Sequence, residues 1–231
     1  MQLAYLTQLE EESFELAASL GYDCLETHAP WEPGELLEAD SIEEKAAQVR
    51  KITERHHVDI SAIAIFRPGF EKAQERIRRY RAYIDLCAEL NIGVISTLSG
   101  AVEKGTLEEN LQYFEVVFCD VAAHAEDAGV RIAFENWPGL QGTFPPIHTV
   151  NFAYSPDVWE EMFDLVDSPV LGLEFDPSHL VWQGIEWNKA LERFSDRIYH
   201  VHAKDTEIFR DRLAEDGFFS GGWWRYRLPG Y

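Results

Sequence analysis

The ten residues from Val170 to His179, VLGLEFDPSH, carry the pattern that decides the fold. An apolar stretch typical of a buried strand runs directly into acidic and imidazole side chains. Side chains alternate across a strand, so Gly172, Glu174 and Asp176 share one face while the apolar residues share the other. We expect the apolar face to pack on helices and the polar face to point into the interior that the strands enclose.

Two further strand ends show the same change from apolar to polar residues. FENW at 134–137 follows the apolar segment 130–133, and HVHAKD at 200–205 follows the segment 197–199. By the same alternation Glu135 points inwards at the first of these ends, as do both histidines and the lysine at the second. The polar ends of all three strands are therefore expected to share one rim.

Ionisable groups that converge in this way need partners, because an unpaired buried charge costs several kcal/mol. A divalent cation removes that cost, and two carboxylates with an imidazole are a suitable ligand set for Mn, Zn, Co or Mg. The alternative is a network of structural salt bridges. Three strand ends of the same kind in succession favour a metal site over that alternative.

Composition limits the class of protein. The 231 residues are 46% hydrophobic, which predicts one domain over residues 1–231 with a sizeable core. No apolar run reaches the roughly 18 residues of a membrane span, and no signal peptide is evident, so we expect a cytoplasmic protein without a membrane partner. Cys24, Cys87 and Cys119 form no CxxC pair and are expected to be reduced core thiols.

The charge balance argues against one class of partner. The formal net charge is −21, whereas nucleic-acid binders gain much of their affinity from Lys and Arg that displace counterions. We therefore expect no nucleic-acid partner. The sequence leaves the oligomeric state open, and a homo-oligomer is compatible with it.

Strand-like and helix-like segments alternate along the whole chain, which predicts a parallel sheet covered by helices. The predicted strands are Leu3–Tyr5, Cys24–Thr27, Ile60–Ile65, Gly93–Thr97, Arg131–Glu135, Val170–Asp176 and Ile198–His202. The predicted helices are Glu11–Leu20, Ile42–His56, Glu71–Leu90, Leu107–Ala128, Pro156–Val166 and Trp187–Phe194. Gly21, the Thr106 and Glu109 capping box, and Ser155-Pro156 mark helix ends.

Two parallel architectures fit this alternation, an open doubly wound sheet and a closed barrel. A dinucleotide-binding open sheet should have a glycine-rich turn after its first strand, and residues 5–9 contain no glycine. Polar groups at the carboxyl ends of several strands fit the TIM barrel, whose catalytic residues come from that rim. We therefore predict an α/β fold of the TIM (β/α)8 type, with only seven strands evident.

Four motifs taken in order, FENW, FDPSHLVW, HVHAKD and WWRYRLPG, resemble the xylose isomerase-like TIM-barrel superfamily. The resemblance is to its sugar phosphate isomerase/epimerase branch, which includes ketose 3-epimerases, hydroxypyruvate isomerases and inosose dehydratases. It spans the chain from the first strand to the end and is strongest from Glu135 onward.

The resemblance implies a ligand set and a reaction. Glu135, Asp176 and His202 would hold a divalent metal, Mn, Mg, Co or Zn, together with a glutamate from an eighth strand. His179, three residues after the strand-six aspartate, would contact substrate and take part in catalysis. Glu135 would also transfer a proton next to a carbonyl of a small sugar, through an enediolate, and so catalyse isomerisation or epimerisation.

Further residues are predicted to contact the sugar. Lys204 would help to stabilise the enediolate, and Arg225 or Arg227 matches the family's basic residue before a Pro-Gly turn, with no decision between them. His28, at the end of the second strand, and Trp137, in the FENW motif, are expected on the same rim.

The chain departs from this family where it stops, at Tyr231, before an eighth strand with the fourth ligand. We expect a C-terminally incomplete barrel rather than an open one, because an open barrel leaves parallel strand edges unpaired. An inosose-type dehydratase and a non-catalytic sugar- or metal-binding barrel remain as alternatives. A related DNA-repair endonuclease is not favoured, because residues 66–69 and 97–100 lack the histidines that its zinc ions need.

Overall fold

The computed structural model describes residues 2–36, 41–67, 71–141 and 148–230. Within them, strands and helices alternate as the sequence predicts. The strands are β1 (Leu6–Gln8), β2 (Cys24–His28), β3 (Asp59–Ile65), β4 (Val94–Thr97), β5 (Arg131–Glu135), β6 (Leu140–Gln141), β7 (His148–Thr149), β8 (Leu171–Phe175), β9 (Ile198–Val201), β10 (Asp205–Ile208) and β11 (Trp224–Arg227). The helices are α1 (Glu11–Leu20), α2 (Pro33–Leu36), α3 (Ser41–His56), α4 (Ala73–Leu90), α5 (Leu107–Ala128), α6 (Pro156–Leu165), α7 (Pro177–Gln183), α8 (Trp187–Arg193) and α9 (Arg210–Asp216), with a 3₁₀ turn at Ser195–Arg197.

Seven of the described strands form one parallel sheet in the order β1-β2-β3-β4-β5-β8-β9. The sheet curls, as two contacts across its concave side show. His200 Nε2 of β9 lies 3.2 Å from Ser61 Oγ of β3. The Nε2 atom of His202, just beyond β9, lies 2.8 Å from Glu26 Oε2 of β2. Within the described residues no ladder joins β9 to β1. The fold is a curled half-barrel with helices, which confirms the predicted barrel class and its seven strands.

The first strand is the element whose predicted position is wrong. The prediction was Leu3–Tyr5, whereas the ladder to β2 uses Leu6–Gln8, with Leu6 beside Glu26. Leu3 is 62% exposed, so its apolar character does not mark a buried strand. The small elements after Asp176, which are α7 and the β10–β11 hairpin, were not predicted because their segments are short and carry many polar residues.

The three predicted helix-end signals are confirmed, while four of the predicted helices differ from the observed ones by one or two residues at one end. Gly21 ends α1 in the left-handed conformation with φ of 78°, which glycine adopts without strain. Thr106 accepts a hydrogen bond from the Glu109 backbone N–H, and the Glu109 side chain accepts one from the Thr106 backbone N–H, which is the reciprocal capping box. Pro156 begins α6 immediately after Ser155.

The main hydrophobic core lies between the convex face of the sheet and helices α4, α5 and α6. Phe134 of β5 packs against Phe114 and Phe118 of α5, with ring centroids 5.4 and 4.8 Å apart. Leu171 and Leu173 of β8 are fully buried in the same layer. The apolar faces of the strands thus fix the sheet on its helices and leave the opposite faces to the polar groups.

The cysteines differ in burial. Cys24 and Cys87 are buried, as expected of core thiols, but Cys119 is exposed, so that prediction is wrong for Cys119. It lies on the outer helix α5, whose apolar sequence context does not bring every residue to the core. No helix in the described part of the chain is both long enough and apolar enough to cross a membrane.

Close packing at Gly172 explains a glycine inside β8. A Cβ atom there would lie 2.2 Å from the Arg197 carbonyl oxygen and 2.4 Å from the Tyr199 ring. Only a residue without a side chain lets β9 approach β8 this closely. The approach brings the carboxyl end of β9 beside that of β8, where the polar residues lie.

Candidate functional site

The three polar strand ends meet at the carboxyl end of the sheet. His202 Nδ1 lies 3.1 Å from Glu135 Oε1 and 4.0 Å from Asp176 Oδ2. Both carboxylates are buried, with exposures of 8% and 0%. The structure therefore brings together the three residues that the sequence predicts as metal ligands.

His179 joins them from α7 because Asp176 starts that helix. Asp176 Oδ1 accepts the Ser178 backbone N–H at 2.9 Å, and Pro177 occupies the first turn. One helical turn then places His179 Nε2 3.2 Å from Asp176 Oδ2 and 3.5 Å from Glu135 Oε1. We call Glu135, Asp176, His179 and the Nδ1 side of His202 the rim group.

Asn136 fixes the separation of the two strand ends. Its side-chain amide donates to the Asp176 carbonyl at 2.9 Å, and its Oδ1 accepts the Asp176 backbone N–H at 2.7 Å. Asn136 is fully buried, so these hydrogen bonds are protected from water. They join the chain just after Glu135 to Asp176 and so hold the two strand ends together.

Two further residues complete the rim. Lys204 Nζ lies 2.7 Å from Asp176 Oδ2 and 3.3 Å from His179 Nε2. Tyr226, on β11, places its hydroxyl 2.8 Å from His179 Nδ1. Tyr226 is not among the residues predicted from sequence, although it lies between the two predicted arginines, Arg225 and Arg227.

The β10–β11 hairpin carries Tyr226 to the site. Trp224 of β11 stacks on Trp182 of α7 with ring centroids 4.9 Å apart, and the Thr206 hydroxyl of β10 donates to the Ser178 carbonyl at 2.8 Å. Both contacts join the hairpin to α7, which also carries His179. The pairing of Tyr226 with His179 thus follows from how the hairpin docks.

A second set of donors lies deeper along the strands, and we call it the inner group: Glu26, Glu174, His200 and the Nε2 side of His202. His200 Nδ1 lies 2.8 Å from Glu174 Oε1, which also accepts the Ser96 hydroxyl at 2.8 Å. The ladder sets this pair, since Glu174 and His200 are register partners of β8 and β9. His200 is thus half-buried among polar groups.

The electrostatics of the rim group keep its carboxylates ionised. Burial acts to raise the pKa of Glu135, but hydrogen bonds from His179 and His202 outweigh it and lower that pKa to about 2. Burial opposes ionisation of Asp176 in the same way, and the contacts with His179 and Lys204 lower its pKa to about 2. Both side chains are therefore negatively charged at neutral pH.

The two carboxylates of the inner group differ from each other. Burial acts to raise the pKa of Glu26, but contacts with His202 and His200 outweigh it and lower that pKa. Burial, followed by repulsion from the Glu26 carboxylate, raises the pKa of Glu174 to about 7. Burial acts to lower the pKa of His202, but its hydrogen bonds to Glu135 and Glu26 raise it to about 11. Burial raises the pKa of the Tyr226 hydroxyl to about 12, so that group stays protonated.

A cavity of about 1560 Å³ opens beside these residues on the concave side of the sheet. Of the side chains predicted to contact substrate or to act in catalysis, five line it. They are Glu135, Trp137, His179, Lys204 and Arg227.

The remaining predicted contacts lie at the edge. Arg225 and Arg227 both bind the Glu207 carboxylate, at 2.9 and 2.8 Å from their Nε atoms. His28 packs against Phe66, with ring centroids 6.1 Å apart, and Phe66 in turn packs against His202. His28 is thus one side chain removed from the rim group.

Both groups offer donor atoms that fit a metal ion. In the rim group, ligand atoms of Glu135, Asp176 and His179 lie within 4.8 Å of one another, and in the inner group those of its four residues do so. Carboxylate oxygens and imidazole nitrogens suit Mn, Co and Zn. The rim group's ionised carboxylates meet the requirement that the ligands of a divalent cation be deprotonated.

Known proteins resemble this chain in sequence. The sequence model of the family described as "Xylose isomerase-like TIM barrel" matches residues 14–225. The uncharacterized protein YfiH of Bacillus subtilis (strain 168) is 25% identical over 253 aligned positions, covering 94% of this chain and 77% of that protein. An inosose dehydratase of Clostridium perfringens (strain 13 / Type A) is 25% identical over 100 residues, which is 41% of this chain and 30% of that enzyme.

Solved structures share the fold. A xylose isomerase domain protein from Planctomyces limnophilus superposes with a TM-score of 0.68 at 16% identity, covering 99% of this chain and 79% of that one. The IolI protein, solved with a bound zinc atom, gives 0.66 at 20% identity, covering 90% and 74%. A D-tagatose 3-epimerase-like protein gives 0.65 at 20% identity, covering 88% and 76%.

Proposed function

The chain belongs to the xylose isomerase-like TIM-barrel family, and from that premise we propose that it is a divalent-metal-dependent sugar isomerase or epimerase. The observation that carries the proposal is the convergence of Glu135, Asp176 and His202 at the carboxyl end of the sheet, beside an open cavity. The substrate is a small sugar or sugar derivative. We further propose that residues 1–231 act as one domain in the cytoplasm, with no nucleic-acid or membrane partner.

Glu135, Asp176 and His202 would hold the metal. When bound, a divalent cation supplies positive charge that makes the proton on the carbon beside a sugar carbonyl more acidic. The chain's own residues then have to position the sugar and move that proton. The charged rim at the open cavity supplies groups for both tasks.

Glu135 is the proposed acid/base. Its carboxylate is ionised at neutral pH, because the hydrogen bonds from His179 and His202 keep its pKa low, so it can accept a proton. It lines the cavity, and its position at the end of β5 is fixed by Asn136. Return of the proton to the opposite face would give the epimer, and return to the adjacent carbon would give the isomer.

His179 and Lys204 are the proposed stabilisers of the negative oxygen that forms when the proton leaves. Lys204 Nζ and His179 Nε2 lie 3.3 Å apart and both line the cavity. Donors that are already in place stabilise developing charge without reorganising during the reaction. Trp137 and Arg227, which line the same cavity, are proposed contacts to the sugar, with His28 and Arg225 farther out.

The proposal is tested by proton exchange. The full chain, loaded with Mn²⁺ or Zn²⁺, is incubated in deuterated water with D-fructose, D-tagatose or an inosose, and ¹H NMR follows the signal of the proton beside the carbonyl. Loss of that signal with at least one of these compounds supports the proposal. Glu135→Gln should slow the exchange by about 10²- to 10⁴-fold, because it removes the group that takes the proton.

Glu11→Gln is the matched control, since it neutralises an exposed carboxylate on α1 that pairs with Arg55 and belongs to neither the rim group nor the inner group. Its exchange rate should equal that of the parent chain. Absence of exchange with every sugar by a metal-loaded, folded chain contradicts the proposal and favours a non-catalytic binding barrel.

A dehydratase is the second candidate, because an inosose dehydratase is among the relatives. The same proton removal, followed by loss of a hydroxyl group from the neighbouring carbon, would eliminate water. The same NMR experiment separates the two reactions, since elimination produces a new vinyl or deoxy signal, whereas epimerisation and isomerisation conserve every hydroxyl group.

A further inference from the structure

The inner group has the donor geometry of a metal site of its own. Glu26 Oε2 lies 2.8 Å from His202 Nε2 and 4.0 Å from His200 Nδ1, and Glu174 Oε1 lies 2.8 and 3.3 Å from the same two nitrogens. Four ligands around a tetrahedral ion of zinc type are about 3.3 Å apart, given bond lengths of about 2 Å. The observed separations bracket that value.

Both carboxylates of the inner group are buried with one oxygen unused. Glu26 is 2% exposed and Glu174 is fully buried. Glu26 Oε1 and Glu174 Oε2 accept no hydrogen bond from any residue that the structure describes. A buried carboxylate oxygen without a partner costs free energy, so two such oxygens in one group favour an additional positive charge beside them.

Ser61 orients His200 as a metal ligand. The Ser61 hydroxyl donates to the Leu25 carbonyl at 3.1 Å, so its oxygen is left to accept the Nε2–H of His200 at 3.2 Å. When the imidazole is neutral, this arrangement leaves the Nδ1 lone pair directed at the Glu174 carboxylate. Metal-binding histidines are commonly held in this way, by a hydrogen bond from the ring nitrogen that does not bind the metal.

From these three observations we propose that the inner group binds a second divalent cation, of zinc type. Glu26, Glu174 and His200 are its ligands. His202 couples the two sites, because its Nε2 faces the inner group while its Nδ1 faces Glu135. Protons held by the inner group are released to water when the cation enters.

The test counts metal ions in the full chain. Metal is stripped with a chelator, Zn²⁺ is added in a calorimetric titration, and bound zinc is measured by elemental analysis after dialysis. The parent chain should bind two equivalents. Glu26→Gln and His200→Gln should each bind one, and Asp176→Asn, which affects only the rim group, should also bind one.

Two controls match the chemistry of these variants away from the sites. Glu11→Gln neutralises an exposed carboxylate, and His124→Gln removes an imidazole that pairs with Asp85 on the helix layer. Both should bind two equivalents. Circular dichroism checks that each variant is folded. A parent chain that binds no zinc overturns the inner site even where a variant does not fold.

The inner site is overturned if the parent chain binds no zinc, or if both Glu26→Gln and His200→Gln bind as many equivalents as the parent chain. In that case the imidazoles and carboxylates of the inner group are held together by hydrogen bonds and not by a metal ion. The two proposals fail separately. Loss of one equivalent in Asp176→Asn alone leaves the rim site and removes the inner one, and loss in Glu26→Gln alone does the reverse.

Discussion

The two faces of β8 are equally buried but are stabilised in opposite ways. Leu171, Leu173 and Phe175 on the convex face are at most 2% exposed and pack in the helix layer, whereas Glu174 on the concave face is fully buried among ionisable groups. The convex face is stabilised by apolar contact with the side chains of the helix layer. The concave face is stable only if hydrogen-bonding or charged side chains of other strands lie close to Glu174, as His200 and Ser96 do. The apolar packing and the ionisable groups are therefore divided between the two faces of one sheet.

The largest effect is expected on the convex face. Phe134→Ala removes a fully buried ring that packs on Phe114 and Phe118, and should lower the free energy of unfolding by about 3–5 kcal/mol, since a cavity replaces the ring. Urea denaturation measures this loss. Phe134→Leu fills much of the cavity and should lose less.

The same variant tests whether the faces are separable. Folded Phe134→Ala protein should bind as many zinc equivalents as the parent chain. A loss below about 1 kcal/mol would contradict the stabilising role of the convex face. A reduced number of zinc equivalents in folded protein would show that the two faces of the strands are not independent.

The second prediction concerns the charge on Glu174 in the metal-free protein. Its folded pKa of about 7 lies above the usual value of 4.5, so protonation favours the folded state. Its contribution to stability is fully present below about pH 4.5 and is lost as the pH rises through about 7. Glu174→Gln stays neutral, so its advantage over the parent chain should grow across that range to on the order of 3 kcal/mol.

Urea denaturation of chelator-treated protein at several pH values between 4 and 8 measures this difference. Glu11→Gln, at an exposed position, should show no growing advantage over the parent chain. Parallel curves for the parent chain and Glu174→Gln would mean that the concave face tolerates the buried charge without cost.

Which face of a strand a residue occupies was easy to predict from the sequence. Which residues of distant strands contact each other was difficult to predict. Alternation within a single strand places Glu135, Glu174 and Asp176 on the inner face, so local pattern is sufficient to find them. The contact between Glu26 and His202 joins residues 176 positions apart, and only closure of the sheet brings them together. A pattern of neighbouring residues carries no information about a contact across such a long sequence separation.

Tyr226 shows the same limit on a smaller scale. Its neighbours Arg225 and Arg227 attract attention because of their charge, yet both bind Glu207 on the facing strand, and Tyr226 contacts His179 instead. Alternation on β11 could have separated Tyr226 from the arginines, but the strand had not been predicted. The metal ligands predicted from sequence lie at the ends of strands of the main sheet, whereas Tyr226 lies on a hairpin outside that sheet.

The third prediction uses metal to stabilise the concave face. A ligand that binds only the folded state at 100 times its dissociation constant adds about 2.7 kcal/mol to the free energy of unfolding. Saturating Zn²⁺ should therefore raise the unfolding midpoint of the chelator-treated parent chain, in a concentration-dependent way. Glu11→Gln should gain as much as the parent chain, and Asp176→Asn should gain less, because it lacks a rim ligand.

Thermal unfolding with and without Zn²⁺ provides the measurement. A midpoint that does not move with zinc in the parent chain would mean that the concave face is satisfied by protons and salt bridges alone.

The smallest effect is expected at the edge of the site. Tyr226→Phe removes the hydroxyl that contacts His179 Nδ1 at 2.8 Å and should cost about 1 kcal/mol of stability, the usual contribution of one hydrogen bond. Tyr113→Phe is the matched control, because it removes a hydroxyl that donates to the Glu71 carbonyl at 2.7 Å outside the site. The two variants should lose similar stability in urea, whereas only Tyr226→Phe should slow proton exchange with a sugar, since the His179 ring loses the contact that orients it. If exchange falls equally in both variants, Tyr226 acts through stability alone and has no role in positioning His179.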